Sequence, residues 1–348
     1  MKPLARLVHV MPADTNRQWL LAERPTGAPT MAHFELEEAA VPEPGPKEVL
    51  VRTQYLSVDP YMRGRMRDAD SYADPWAVGD PMRARVVGEV VESNHPDHAP
   101  GDTVTGNLYW AEYAAVDGHD LEPVDTGSAP VSTALHVLGM PGRTAYIGTV
   151  DVGAVEPGDT VVVSAAAGAV GSVVGQIADM AGCRVVGIAG SDAKLDWLTD
   201  DLGFDAGINY KTADDLEAAV GEACPRGVDL YFENVGGVVS DAVMAHLTDF
   251  SRVAVCGKIS LYNALPDADA WLGPRRMHQR TKTRVEGFIV SDYQHRFPHA
   301  MDRLRRWVES DDVQYRETVR EGIEQAPDAF LGLFEGENVG KQLVRVAE

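Results

Sequence analysis

At 348 residues the chain is long enough for two domains with separate cores, and 45% hydrophobic content with well-spread glycine and proline marks a globular protein, not a disordered one. Fifty-three acidic residues stand against 31 basic ones, a formal charge of −22 dispersed along the chain. Such a surface repels nucleic-acid phosphates and argues against that class of partner.

The start, MKPLARLVHVMPADTN, has no continuous apolar core and no secretory cleavage pattern. Residues 1–136 lack a βαβ rhythm: short β-like runs such as Glu48–Tyr55 and Arg83–Glu92 alternate with turns rich in Pro and Gly, predicting a mostly antiparallel β module. Over 137–309 strand and helix alternate. Strands are predicted at Thr160–Ser164, Arg184–Ala189, Gly207–Asn209, Val228–Glu233, Arg252–Cys256 and Val285–Ile289. Helices are predicted at Ser172–Ala181, Asp192–Asp201, Asp214–Glu222, Val238–Leu247 and Ala300–Glu309. Six strands and five crossovers make a doubly wound parallel sheet, an α/β fold. The tail, 310–348, ends in KQLVRV, a strand expected to rejoin the first module. Cys183, Cys224 and Cys256 are far apart and without metal spacing, so a reducing cytoplasm is the expected compartment. Seven lysines against 24 arginines, and 31 aspartates against 22 glutamates, suggest a solvated acidic surface suited to high salt.

The chain is organised around DTVVVSAAAGAVG, residues 159–171. A β-branched run, a turn of small residues and a helical pattern through Val170, Val173, Val174, Ile177 and Met180 form a pyrophosphate site, where free amides and a positive helix end meet an anion. The dinucleotide fingerprint Gly-x-Gly-x-x-Gly reads here Ala166-x-Gly168-x-x-Gly171, with its first glycine absent. Ser164, Ser172 and Gln176 interrupt the apolar stretch, which argues against a membrane span. After the second strand, Lys194 lies one turn into a helix whose N-cap is expected at Ser191. Its ammonium reaches towards a 2′-phosphate in one reading and into solvent in the other, and the scarcity of lysine favours the first, hence NADPH over NADH. Glu233 and Asn234 end the fourth strand at the ligand edge of the sheet, above Gly236 and Gly237. One strand on, Tyr262 is either a packing residue or a hydroxyl donor to a developing oxyanion.

The segments VDPYMRGRM (58–66), GMPGRTAYIG (139–148), VSAAAGAVGSVVGQIA (163–178), GCRVVGIAGSDAK (182–194), LGFDAGINYK (202–211), VDLYFENVGG (228–237), CGKISLYN (256–263), VEGFIV (285–290) and GENVGK (336–341) follow one another in order. With them the sequence resembles the zinc-independent branch of the medium-chain dehydrogenase/reductases, within it the prostaglandin reductase or leukotriene B4 12-hydroxydehydrogenase group of NADPH-dependent alkenal/enone reductases. The resemblance implies a GroES-like β domain over 1–136, a Rossmann NADP-binding domain over 137–309, a return to the first domain over 310–348, and a homodimer. It also implies site roles. Gly168, Ala169, Val170 and Gly171 would cradle the pyrophosphate, Lys194 and Tyr210 the 2′-phosphate, and Asn234 the ribose. Cys256, Gly257, Ile259 and Tyr262, with Phe288, Ile289 and Val290, would surround the nicotinamide, and Asn338 would complete the clamp. Lys258 departs from the small residue usual in the group, which leaves open whether its charge alters the pocket or pairs with phosphate.

No Gly-His-Glu triplet occurs and no cysteine precedes position 183, so the ligands of the zinc-dependent relatives are absent from the sequence. His33, His95, His98, His119 and His136 read as scattered surface or packing residues, and no metal is expected. In SVDPYMRGR, Asp59 and Arg63 are expected to pair and brace the loop; Tyr61 either lines the substrate cleft or, like them, serves the structure, and the structural reading is favoured for all three. Without a Lewis acid for an alkoxide, reduction of a conjugated double bond in a small carbonyl compound fits best, with Tyr262 stabilising the enolate. A quinone reductase and a non-catalytic NADPH-binding protein are the alternatives.

Overall fold

The computed structural model describes residues 15–69, 71, 73–264 and 281–347; residues 1–14, most of the stretch read as lacking a secretory pattern, lie outside the described residues. Seven strands come first: β1 (Thr15–Leu21), β2 (Phe34–Ala40), β3 (Glu48–Ser57), β4 (Arg83–Ser93), β5 (Thr103–Tyr109), β6 (Tyr113–Asp117) and β7 (Glu122–Pro123). Six follow at β8 (Thr160–Ser164), β9 (Arg184–Ala189), β10 (Ala206–Asn209), β11 (Val228–Glu233), β12 (Leu247–Val255) and β13 (Arg284–Gly287). Two close the chain, β14 (Glu317–Glu321) and β15 (Lys341–Arg345).

β8–β13 form one parallel sheet in the order β10-β9-β8-β11-β12-β13. This is the doubly wound arrangement expected, with the strand order reversing at β8. β8 reads TVVVS because both its faces are covered, and all five residues are buried. One difference concerns the fifth strand. The helix predicted to run to Leu247 ends at Met244, and Leu247 instead opens β12, paired with Val228. A buried leucine satisfies either periodicity, so backbone pairing decides.

The remaining strands make a β1–β2 hairpin and a mostly antiparallel sheet ordered β14-β15-β3-β4-β5-β7. β3 is its hub: β4 lies along one edge, while β6 takes Glu48–Arg52 and β15 takes Tyr55–Ser57 on the other. The tail also enters this core, where Ile323, Phe330 and Val344 pack with Phe34, Val51 and Trp110.

A buried charge joins tail and hub. Lys341 is 1% exposed and donates from Nζ to the carbonyls of Val58 and Gln342, both at 2.7 Å, with Asp59 Oδ1 at 3.2 Å. The expected Asp59–Arg63 pair does not form. Asp59 accepts from Ser57 and faces Lys341, while Arg63 donates to the carbonyls of Pro25 and Gly27 and to Asn263 Oδ1. Carbonyls offer a buried guanidinium its partners without a second buried charge, although burial and the nearby Arg67 still lower its pKa to about 10. Replacing one member of a buried pair strands the other, so Lys341→Met is expected to cost about 3–5 kcal/mol, read as a lower denaturant midpoint.

Candidate active site

The small-residue turn leaves β8 through Ala165, at φ +48°, and enters the helix Gly171–Met180. A Cβ on Gly171 would lie 2.5 Å from the Ala165 carbonyl oxygen, so strand and helix meet this closely only over glycine. The Gly168 amide is already bound to that carbonyl at 2.9 Å. The amides of Ala169, Val170 and Gly171 have no acceptor among the described residues, which is the donor set an anion at a helix N-terminus requires. Above them crosses the tail: Gly168 bridges Gly340, whose amide donates to Ala167 at 2.8 Å. Asn338 is fixed beside this crossing by a 2.7 Å bond from Nδ2 to the Gly340 carbonyl.

At the end of β9, Gly190 lies beneath Tyr210 and Lys211, whose atoms would come within 3.0–3.1 Å of an added Cβ. Lys194 donates to the Gly336 carbonyl at 2.8 Å and Lys211 to the Glu335 carbonyl at 3.4 Å. Neither ammonium has a carboxylate partner among the described residues. Burial, and then the charge of Lys211, lower the Lys194 pKa. Two like charges held together without a counter-ion are a fitting receptor for a phosphate dianion. Lys211 is a candidate residue the sequence reading passed over, although it follows Tyr210 directly. Ser191 occupies the N-cap position without a side-chain cap bond.

The next strand ends carry the other half of the site. Asn234 donates from its backbone to Ser164 Oγ at 2.9 Å and from Nδ2 to the Ser164 carbonyl at 2.8 Å, which leaves Oδ1 as an acceptor with no donor among the described residues. Buried Glu233 is anchored by the amides of Val235 and Gly236. Cys256 and Gly257 donate their amides to the Glu233 carbonyl, and Ile259 to that of Asn234, so the 256–262 loop is stitched to β11. Burial, reinforced by Glu233, pushes the Cys256 thiol up to about 12, which keeps it protonated. Lys258 stands near Glu233, whose charge partly offsets the lowering of its pKa by burial. Three strand spacings, roughly 14 Å, separate its loop from that of Lys194, so its charge does not join the Lys194–Lys211 pair.

Tyr262 closes this loop. Its hydroxyl accepts a long, 3.4 Å bond from the Lys258 amide, and its proton has no acceptor among the described residues. The backbone carbonyl of Tyr262 accepts from Arg67 at 2.6 Å. Burial raises the phenol pKa, so it remains a donor at neutral pH. The Phe288 ring turns into the core against Phe232, leaving only its backbone, with half-buried Ile289 and Val290, at the sheet edge. Tyr61 packs half-buried against the first-module core.

His136, fully buried, lies between the turn after β8 and the tail strand β14, with Nε2 3.3 Å from the Ala169 carbonyl and Nδ1 3.8 Å from Glu317. Burial, then the Lys341 charge, lower its pKa to about 3, so it folds neutral. An unfolded histidine titrates near 6.5. The stabilisation from a neutral His136 is therefore full above that pH and is lost as pH falls towards 3. The decline in unfolding free energy between pH 6.5 and 5 should be shallower in His136→Gln than in the parent protein, measured by denaturant titration at each pH.

Two family models match the chain, "N-terminal domain of oxidoreductase" over residues 17–124 and "Zinc-binding dehydrogenase" over 169–306. The chain is 46% identical to the NADPH-dependent curcumin reductase of Escherichia coli, over 95% of this chain and 97% of that protein. It is 42% identical to the NADP-dependent 2-alkenal reductase of Nicotiana tabacum, over 96% and 98%. The crystal structure of CurA in complex with NADPH from Vibrio vulnificus superposes with a TM-score of 0.90 at 44% identity, covering 95% of this chain and 99% of that one. With identity of this order over nearly its whole length, the chain belongs to the zinc-independent medium-chain dehydrogenase/reductases, in their group of NADPH-dependent alkenal and enone reductases.

Proposed function

We propose that this chain reduces the conjugated carbon–carbon double bond of α,β-unsaturated ketones and aldehydes at the carboxyl edge of its parallel sheet, using NADPH. The observation that carries the reading is the presence on one sheet edge of two lysines without a carboxylate partner, Lys194 and Lys211, and of a phenol, Tyr262, whose proton has no acceptor among the described residues. NADPH, when bound, supplies the hydride that reaches the substrate β-carbon. The amides of Ala169, Val170 and Gly171 hold the pyrophosphate, with Gly168 allowing its close approach. Lys194, Tyr210 and Lys211 hold the 2′-phosphate, and Asn234 accepts from a ribose hydroxyl. Cys256, Gly257, Ile259, Phe288, Ile289, Val290 and Asn338 form the walls around the nicotinamide, and Tyr61 borders the substrate cleft. Tyr262 donates to the carbonyl oxygen as negative charge gathers there, and protonation of the α-carbon completes the reduction.

The working division of the chain is 1–136, 137–309 and 310–348, supported by the tail strands β14 and β15 lying in the first-module sheet. No helix among the described residues is long and apolar enough to cross a membrane. We further read the protein as a cytoplasmic homodimer with a surface suited to high salt; a melting temperature that rises from low to multimolar KCl is the expected result.

The test is NADPH consumption in multimolar KCl with 3-nonen-2-one, a benzoquinone and a saturated ketone offered separately. Turnover on the enone, with the saturated ketone as product, is expected. Turnover on the quinone alone would make it a quinone reductase, and binding of NADPH without turnover on any acceptor would make it a binding protein.

A further inference from the structure

Three of the histidines read as scattered stand together. β4 and β6 flank β3 on opposite edges, and both of their exits are fixed to the start of β3: the Asn94 amide donates to the Glu48 carbonyl at 2.9 Å and the Gly118 amide to the Lys47 carbonyl at 3.0 Å. This brings His95 and His98, after β4, against Asp117 and His119, at the end of β6. The ring of His95 lies 4.5 Å from that of His119 and 5.3 Å from that of His98. His98 is occupied, with Nε2 2.8 Å from the Gly118 carbonyl. Asp117 accepts from the amide and the ring of His119, at 2.9 and 2.8 Å, and these bonds hold its carboxyl below the usual range. His95 is 6% exposed, and its Nε2 has no partner among the described residues. A Cβ on Gly118 would lie 2.5 Å from the His95 ring, so only glycine lets the β6 exit close over it.

We propose that His95, Asp117 and His119 form a binding site for a divalent transition-metal ion of the zinc type. One ligand atom from each residue lies within 4.8 Å of the others. Two imidazoles and a carboxylate are a donor set that selects such ions over magnesium or calcium, with water completing the coordination. Ligation through His95 Nε2 moves that ring's proton to Nδ1 and ends the 3.3 Å bond Nδ1 accepts from the Asp97 amide, a long contact that yields easily. Exposed His119 and Asp117 close on the ion by side-chain rotation. The ion would clamp the exits of β4 and β6 across the start of β3. The candidate active site borders the far end of that ten-residue strand, roughly 30 Å away, so the role is bracing rather than chemistry.

Titration calorimetry with Zn²⁺ on the untagged full-length protein tests this, in about 1 M KCl to suppress loose binding to the acidic surface. One tight equivalent per chain is expected, with a raised melting temperature. His119→Ala and Asp117→Asn, both surface changes, should keep the metal-free melting temperature and weaken Zn²⁺ binding at least ~10-fold, the smaller of the losses that even an outer-shell partner causes. His95→Gln should abolish the tight equivalent. Absence of a tight equivalent in the parent protein, or equal Zn²⁺ binding by His119→Ala and Asp117→Asn, would overturn the site.

Discussion

Tyr262→Phe lowers turnover on a conjugated enone by roughly 10²–10³-fold and leaves NADPH affinity nearly unchanged, if the phenol is the donor to the enolate oxygen. The expectation rests on which contacts the hydroxyl makes. Its one bond among the described residues, from the Lys258 amide, is 3.4 Å long, and the loop around it is held by other means: amides of Cys256, Gly257 and Ile259 on β11, and Arg67 on the Tyr262 carbonyl. Removing the oxygen therefore subtracts a proton donor without loosening the wall that carries it. Steady-state kinetics with saturating enone separates the two effects, because a displaced loop would raise KM for NADPH and a lost donor would lower kcat. Unaltered kcat would remove the tyrosine from the chemistry.

Lys194→Ala raises KM for NADPH by roughly 10–100-fold and leaves the value for NADH where it was. A hydrogen bond to a charged group contributes about 1.5–3 kcal/mol, and each 1.4 kcal/mol is a factor of ten. Among the described residues the charge has only a backbone carbonyl to lose, so its removal costs the fold little. Lys211→Ala shifts the same ratio in the same direction, and the double variant approaches indifference between the two cofactors. A parallel loss for NADH would show instead that the lysines only hold the C-terminal end of the helix Ala326–Glu335.

The parallel sheet was legible because its inner strands, such as Thr160–Ser164 and Arg184–Ala189, are short, largely apolar runs followed by a helical pattern, and burial on both faces leaves no other use for them. The tight strand–turn–helix junction was legible for a related reason: Gly171 sits where no side chain fits. What escaped the sequence was pairing between distant residues. Asp59 has Arg63 four positions away, but its cation is Lys341, brought in by the antiparallel pairing of β15 with β3. His95 and His119 are likewise neighbours only through the common partner of β4 and β6. Lys211 escaped because its role depends on how the β10 exit folds over Gly190, which spacing along the chain does not encode.

The bridge between Gly168 and Gly340 has a consequence for dissection of the protein. The roof of the phosphate turn is the same few residues that lead into β15, and β15 is a strand of the other sheet. A recombinant fragment spanning 137–309 would keep every residue of the fingerprint and still lack its cover, while a fragment spanning 1–136 would lack a central strand. No single scission yields two working halves. Affinity for the dinucleotide belongs to the uncut polypeptide, and proteolytic nicking near residue 310 should release cofactor before either sheet unravels.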